Sequence, residues 1–196
     1  MDPQAAAVLR RLEVEDGRER ADALAREHRL RSVTPEVGRF LHLLVKLTGA
    51  RNILEVGTSG GYSTIWLASA ARETGGHVTT LEIDPEKVER AQRNISEAGL
   101  AGLATIVEGD AFQTLPALAG PFDFAFLDAE KEMYLPLLEP LVGLLRSGGL
   151  LVADNLLSHA EELAPFRRAA ESHPELECVL IPIPRGELLC RKRGNA

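Results

Sequence analysis

From residue 51 onward the chain alternates short apolar runs with amphipathic stretches, and this alternation limits the fold more than any other feature. "RNILEVG" is a short buried strand and 62–72 a helix. "HVTTLEID" is a strand, and "PEKVERAQRNISEAG" a helix started by proline and stopped by glycine. "LATIVEGD" is a strand, 111–119 a short helix, 122–127 a strand and 132–145 mostly helix. "GGLLVADN" is a strand and 159–172 a helix, and the strands "LECVLIPI" and "GELLCRKR" close the chain. Strands joined through helices at this spacing make right-handed crossovers, so they build a parallel sheet with helices on both faces. Only Pro184, Arg185 and Gly186 separate the last two strands, too few for a crossover. They pair as a hairpin, and the expected architecture is α/β: a seven-stranded mixed sheet, doubly wound, with an antiparallel C-terminal edge.

Ahead of the alternation, the first thirty residues read as charged helix divided at Gly17. "TPEVGRFLHLLVKLTG" (34–49) is a helix with a Thr N-cap, Pro at its first position and Gly at its end. A length of 196 residues, 45% of them apolar, suits one domain over 1–196, with 1–32 as an N-terminal helical extension. The net charge of −7 argues against a nucleic-acid scaffold, which would show a basic face. No apolar run is long enough to span a membrane, and the N-terminus has no signal-peptide core. Cys178 and Cys190 make no disulfide framework and read as small apolar residues of a reduced, cytoplasmic protein.

In an open sheet of this kind ligands bind at the carboxyl ends of the strands, near the switch point, so the strand ends carry the functional information. The first ends in "LEVGTSGGYS", where Gly57, Gly60 and Gly61 let the backbone approach a ligand. Its spacing fits the dinucleotide fingerprint poorly. The second ends in "LEID", and Glu82 there can take the hydroxyls of a ribose. Asp84 fills the N-cap of the following helix. The third ends in "EGDA", with Asp110 and Ala111 placed to flank an adenine edge or, in the plainer alternative, to cap a helix. The fourth supplies Asp128 and the fifth Asp154 and Asn155. Adjacent strands lie about 5 Å apart, so these three can converge. Two carboxylates and an amide carbonyl are hard oxygen donors suited to Mg²⁺ or Ca²⁺. Zinc would want His or Cys, and His159 fits better in a first helical turn capped by Ser158.

The spaced set "LEVGTSGGYS … LEID … EGDA … FDFAFLDAEKEMY … GGLLVADN" resembles the cation-dependent O-methyltransferases of the catechol and caffeoyl-coenzyme A type, within the class I S-adenosylmethionine-dependent group. The resemblance runs from about residue 32 to the C-terminus and implies a Rossmann-like fold. It implies that Glu55, Gly57, Thr58 and Ser63, with Gly61 of the same loop, hold the methionine part of S-adenosylmethionine. Glu82 then takes the ribose, Asp110 and Ala111 the adenine, and Val33 adds a contact. Asp128, Asp154 and Asn155 become ligands of a divalent cation (Mg²⁺, with Ca²⁺ or Mn²⁺ as alternatives), and Lys131 and Asp128 the catalytic pair. The implied acceptor is a small aromatic compound with vicinal hydroxyls, and the implied assembly a homodimer, with no nucleic-acid or membrane partner. Lysine suits the task, since an arginine stays protonated. The chain has four lysines against eighteen arginines and keeps one here. The plain alternative is an exposed Lys131 paired with Glu130 or Glu132. Tyr134 and Trp66 read as packing.

The chain departs from the family in three places. The segment after Asn155 is short where many relatives carry an insertion covering the acceptor. The hairpin turn reads "IPIPRGELL" where relatives commonly have Gly-Asp-Gly, so Pro184 and Arg185 replace an acid. The leading helical region, which in relatives walls the acceptor site or the dimer, is also short. Together these suggest an open pocket with an arginine at its rim, suited to an anionic or bulky phenolic acceptor. Competing readings are a nucleotide-dependent oxidoreductase, which the glycine spacing disfavours, and a non-catalytic cofactor-binding module, which the intact Asp128, Lys131, Asp154 and Asn155 set disfavours.

Overall fold

The computed structural model describes residues 1–22 and 29–194. Its seven strands are β1 (Asn52–Val56), β2 (His77–Glu82), β3 (Ala104–Glu108), β4 (Phe122–Leu127), β5 (Leu145–Ala153), β6 (Leu176–Ile181) and β7 (Glu187–Lys192). They form one sheet in the order β3-β2-β1-β4-β5-β7-β6. Pairing is parallel from β3 to β5, and β7 runs antiparallel between β5 and β6. The sheet is the expected one, and its strand order reverses between β1 and β4. The crossover elements are α3 (Tyr62–Thr74), α4 (Pro85–Glu97), the single-turn α5 (Ala111–Thr114), α6 (Tyr134–Leu144) and α7 (Ala164–Ser172). Two helices precede β1: α1 (Pro3–Ala21) and α2 (Pro35–Thr48).

Local chemistry explains most boundaries. Thr34 Oγ1 accepts from Val37 N and Asp84 Oδ1 from Glu86 N, each ahead of a proline at the helix start. Gly49 and Gly75 close α2 and α3 with left-handed backbone. One apolar layer, under α2 and α3, gathers Leu41, Val45, Ile65, Leu67, Phe124 and Phe126. The other, under α6 and α7, gathers Leu54, Leu127, Leu137, Leu141, Leu151 and Phe166. Trp66 is core, its ring resting on Gly38, as expected.

Four expectations need correction. Helix α1 runs unbroken through Gly17, because the buried stripe Ala5, Val8, Leu9 and Leu12 and the Arg20–Asp16 ion pair support it on both sides. The rest of the helix expected over the first thirty residues falls partly on 23–28, outside the described residues. Residues 156–163 form turns rather than helix. Leu157 N and Ser158 N donate to Arg185 O, which ties this stretch to the hairpin turn, and α7 starts only at the Ala164–Pro165 pair. Strand β5 begins at Leu145, ahead of the two glycines. Finally, Cys178 and Cys190 are joined by a disulfide, since the β6–β7 register sets them directly opposite each other. That removes the reading of both as reduced thiols.

Candidate functional site

Strand register lines up the chemistry. Val56 pairs with Leu81 on one side and Leu127 on the other, Leu127 pairs with Ala153, and Ala153 with Leu188. The next residues therefore stand in one row across the sheet's rim: Glu82, Gly57, Asp128, Asp154 and Glu187. Above them opens a cavity of about 510 Å³.

At the β1 end of this row the backbone itself makes the wall. Gly57 has φ +104°, and a Cβ there would lie 2.0 Å from the carbonyl oxygen of Asp128, so only glycine lets the loop rest on β4. Gly57 N and Thr58 N both donate to Leu81 O. Ser59 holds φ +47°, with its N–H donating to Glu82 Oε2 at 2.7 Å and its hydroxyl to Leu30 O. The other oxygen of Glu82 accepts from Ile83 N (3.0 Å) and Asp84 N (3.1 Å). Three N–H groups thus fix this carboxylate at the cavity wall. Asp110 caps α5 by accepting from Phe112 N, the plainer of its two expected roles. Ala111 beside it lines the cavity.

Glu55 lies elsewhere. Its side chain is fully buried beneath the glycine loop, and Oε2 accepts from the hydroxyls of Thr64 (2.5 Å) and Thr80 (2.6 Å). Oε1 has no partner. Burial outweighs these hydroxyls and pushes the carboxyl up to about 7. Of the residues expected to hold a cofactor, Val33, Gly57, Thr58, Ser63, Glu82, Ala111 and Asp128 line the cavity. Glu55, Gly61 and Asp110 stand behind that wall and shape it instead.

At the other end the acids converge. Asp128 and Asp154 continue the ladder, their N–H groups donating to Val56 O and Leu127 O. Asn155 has φ +75°, a left-handed conformation that an Asn tolerates and that turns the chain over the site. Its Nδ2 donates to Asp128 Oδ1 (2.8 Å), and its N–H to Asp154 Oδ1 (2.5 Å). The amide therefore presents its NH₂ group where the sequence led us to expect its oxygen. Lys131 opens a short 3₁₀ turn at 131–133 and is buried, not exposed. Its Nζ lies 3.5 Å from Asp128 Oδ1, 3.0 Å from Ala129 O and 3.2 Å from Tyr134 Oη. Burial lowers its pKa, opposed by Asp128 and Asp154 and reinforced by Arg31. Arg31 itself pairs with Glu130.

Two residues escaped the sequence reading. Tyr134 is more than packing, because its hydroxyl bridges Lys131 Nζ and Asp154 O. The i, i+3 spacing from Lys131 was the available signal. Glu187 is fully buried, and its carboxyl lies against that of Asp154. No donor reaches either Glu187 oxygen or Asp154 Oδ2. Burial raises the pKa of both acids, reinforced by the charge of Asp128 at Asp154 and by that of Asp154 at Glu187, while the contact with Glu187 holds Asp154 back. An acid at the first position of an apolar strand was its signal. His159 lines the cavity from the turn after Asn155, with Ser158 Oγ 3.0 Å from its Nδ1.

Among the described residues no three His, Cys, Asp or Glu side chains converge as a metal cluster. The set that remains is two carboxyl groups and an amide, with Asp154 Oδ2 buried and unpartnered. A carboxyl oxygen buried without a partner is what a hard cation would complete, so the donor chemistry fits one.

The profile of the O-methyltransferase family matches residues 19–193. A catechol O-methyltransferase of Niastella koreensis is 46% identical over 136 residues. That match covers 67% of this chain but 61% of the relative, so the chain spans under two thirds of that relative's length. A solved, cofactor-bound protein from MTB, Rv0187, superposes with a TM-score of 0.83 at 35% identity, covering 100% of this chain and 92% of that one. The O-methyltransferase from Bacillus cereus, solved in complex with SAH, does so with a TM-score of 0.82 at 29% identity, covering 95% and 91%.

Proposed function

As a member of the O-methyltransferase family, this chain, we propose, transfers the methyl group of S-adenosylmethionine to a hydroxyl of a small catechol-like or phenolic acceptor. The observation that carries the reading is one cavity with two chemically distinct ends. The end built from Gly57, Thr58 and Glu82 offers backbone proximity and an anchored carboxylate for a nucleoside and its methionine arm. The end built from Asp128, Lys131 and Asn155 offers acids, a buried amine and an amide.

In-line transfer breaks the sulfonium S–CH₃ bond and makes an O–CH₃ bond, releasing S-adenosylhomocysteine. The hydroxyl must lose its proton as the bond forms. Lys131 is placed to take it at Nζ, because burial favours its neutral amine and Tyr134 and Ala129 O hold it facing Asp128. A divalent cation, Mg²⁺ in the first instance, would be held by Asp128, Asp154 and, with its amide turned over to present the oxygen, Asn155, and it would lower the pKa of a hydroxyl bound to it. Gly57 pressed against Asp128 O couples the two ends, so the methyl donor and the acceptor share one rigid frame.

Radiometric assay with S-adenosylmethionine and catechol, with Mg²⁺ and then with excess chelator, tests this reading. Turnover that chelation abolishes supports it. Absence of turnover together with absence of S-adenosylhomocysteine binding by calorimetry refutes it. The same reading extends to a homodimer, for which the exposed Leu43 and Leu47 of α2 offer apolar surface; sedimentation tests that. A cytoplasmic setting is proposed from composition alone. Titration of free thiols in freshly extracted protein checks it against the Cys178–Cys190 bond.

A further inference from the structure

The cavity wall carries several cations, and most of them already face an anion. Arg20 pairs with Asp16 at 2.8 Å, Arg31 with Glu130, Lys87 with Asp84 at 4.0 Å and Lys131 with Asp128 at 3.5 Å. Arg185 makes no side-chain hydrogen bond and no ion pair with a described residue. It lines both the main cavity and a smaller one of about 260 Å³ that adjoins it beside α1.

Its backbone is fixed by the chain that follows Asn155. Arg185 O accepts from Leu157 N (2.9 Å) and Ser158 N (3.0 Å), and Gly186 O from Leu156 N (2.9 Å). Gly186 has φ +83°, and a Cβ there would lie 2.5 Å from Leu157 Cγ. The hairpin turn is thereby clamped to the segment that begins at Asn155. Sheet order sets the distances. From β2, which carries Glu82, to β7 is four strand steps, about 19 Å, while from β5 to β7 is one step of about 5 Å. Arg185 therefore stands at the acceptor end, one strand beyond Asp154, and far from the nucleoside end.

Asp128 and Asp154 make this end anionic, with the Glu187 carboxyl buried against Asp154, and an acceptor carrying a carboxylate would be repelled by those two charges. Arg185 is the cation on the outer side of that cluster, near enough to Asp154 to oppose its charge. We propose that Arg185 is a specificity-determining residue that selects aromatic acceptors bearing a carboxylate on the side of the ring away from the hydroxyls, through a guanidinium–carboxylate pair. The proposal rests on the methyl-transfer reading above. A planar guanidinium donates two parallel N–H groups to a carboxylate, which an ammonium cannot match.

The test compares 3,4-dihydroxybenzoate with catechol as acceptors, in the presence of S-adenosylmethionine and Mg²⁺. The native protein is expected to favour the carboxylate in kcat/KM by about 10-fold or more. In Arg185→Ala the ratio of the two kcat/KM values falls about 10- to 100-fold, mainly through KM for the carboxylate, and Arg185→Lys recovers part of it. Because each ratio is taken within one protein, a partial folding defect cancels. A native protein without preference for the carboxylate overturns the proposal, as does an Arg185→Ala variant whose ratio is unchanged, while catechol turnover in either case leaves the methyl-transfer reading standing. If neither acceptor reacts and S-adenosylhomocysteine does not bind, that reading fails and takes this one with it.

Discussion

Glu55 offers the sharpest physical test of how the cofactor loop is supported. Its carboxyl is fully buried, two threonine hydroxyls serve one oxygen, and the other has none. The folded carboxyl is pushed up to about 7 from its usual 4.5. The folded protein therefore keeps this proton at pH values where the unfolded chain has lost it, and stability falls as pH rises. The contribution is fully present below pH 4.5, is lost progressively up to 7, and is constant above that. Each pH unit across this window is worth about 1.4 kcal/mol, so between pH 5 and pH 8 the loss comes to about 2–3 kcal/mol. Urea unfolding at both pH values, on the native protein and Glu55→Gln, measures it. With an m-value of about 2–3 kcal/mol/M, the native midpoint should drop by about 1 M more than the variant's over this interval. The glutamine leaves an NH₂ group where Oε1 now has no partner, which costs about 1–3 kcal/mol at either pH. That cost cancels in the difference between two pH values, as do the other groups that titrate in both proteins. Parallel behaviour within about 0.5 kcal/mol would refute the claim that Glu55 is held protonated in the fold.

Three further expectations follow from the same geometry. Glu82→Gln removes the charge that three N–H groups now fix, and it should weaken S-adenosylhomocysteine binding about 10- to 100-fold by calorimetry without lowering Tm by more than a few degrees. Lys131→Met and Lys131→Arg should each reduce kcat about 100-fold or more, since neither side chain can accept a proton, while S-adenosylhomocysteine affinity stays within about threefold. Gly38→Ala places a Cβ 2.3 Å from Trp66 Nε1 in the packed α2–α3 contact. An overpacking cost of about 1–3 kcal/mol exceeds the roughly 1 kcal/mol that alanine gains in a helix, and Tm should fall by about 2–4 °C in a thermal melt.

Which parts of this molecule were legible from its letters follows from how local each cause is. The sheet was, because strand–helix alternation and proline–glycine punctuation act within a few residues, and parallel crossovers leave one topology open. The row Glu82, Gly57, Asp128 and Asp154 was legible too, because strand ends are visible in sequence and the sheet lines them up. Features decided by a distant partner were hidden. Helix α1 crosses Gly17 because of a buried stripe and an ion pair on either side of it. The turn at 156–163 exists because Arg185 O takes two N–H groups from it. The two cysteines became a pair only once the β6–β7 register set them opposite each other.

Glu187 shows the same division most sharply, since it reads as a strand's polar start and lies buried against Asp154 only because β5 and β7 run antiparallel. A seventh strand inserted in parallel would have put another residue beside Asp154 and turned the loop of Arg185 to the opposite edge of the sheet. The antiparallel hairpin is therefore what brings both a third acid and an arginine to the end of the cavity where the acceptor would sit. Sheet topology, more than any single motif, decides the charge an acceptor would meet there.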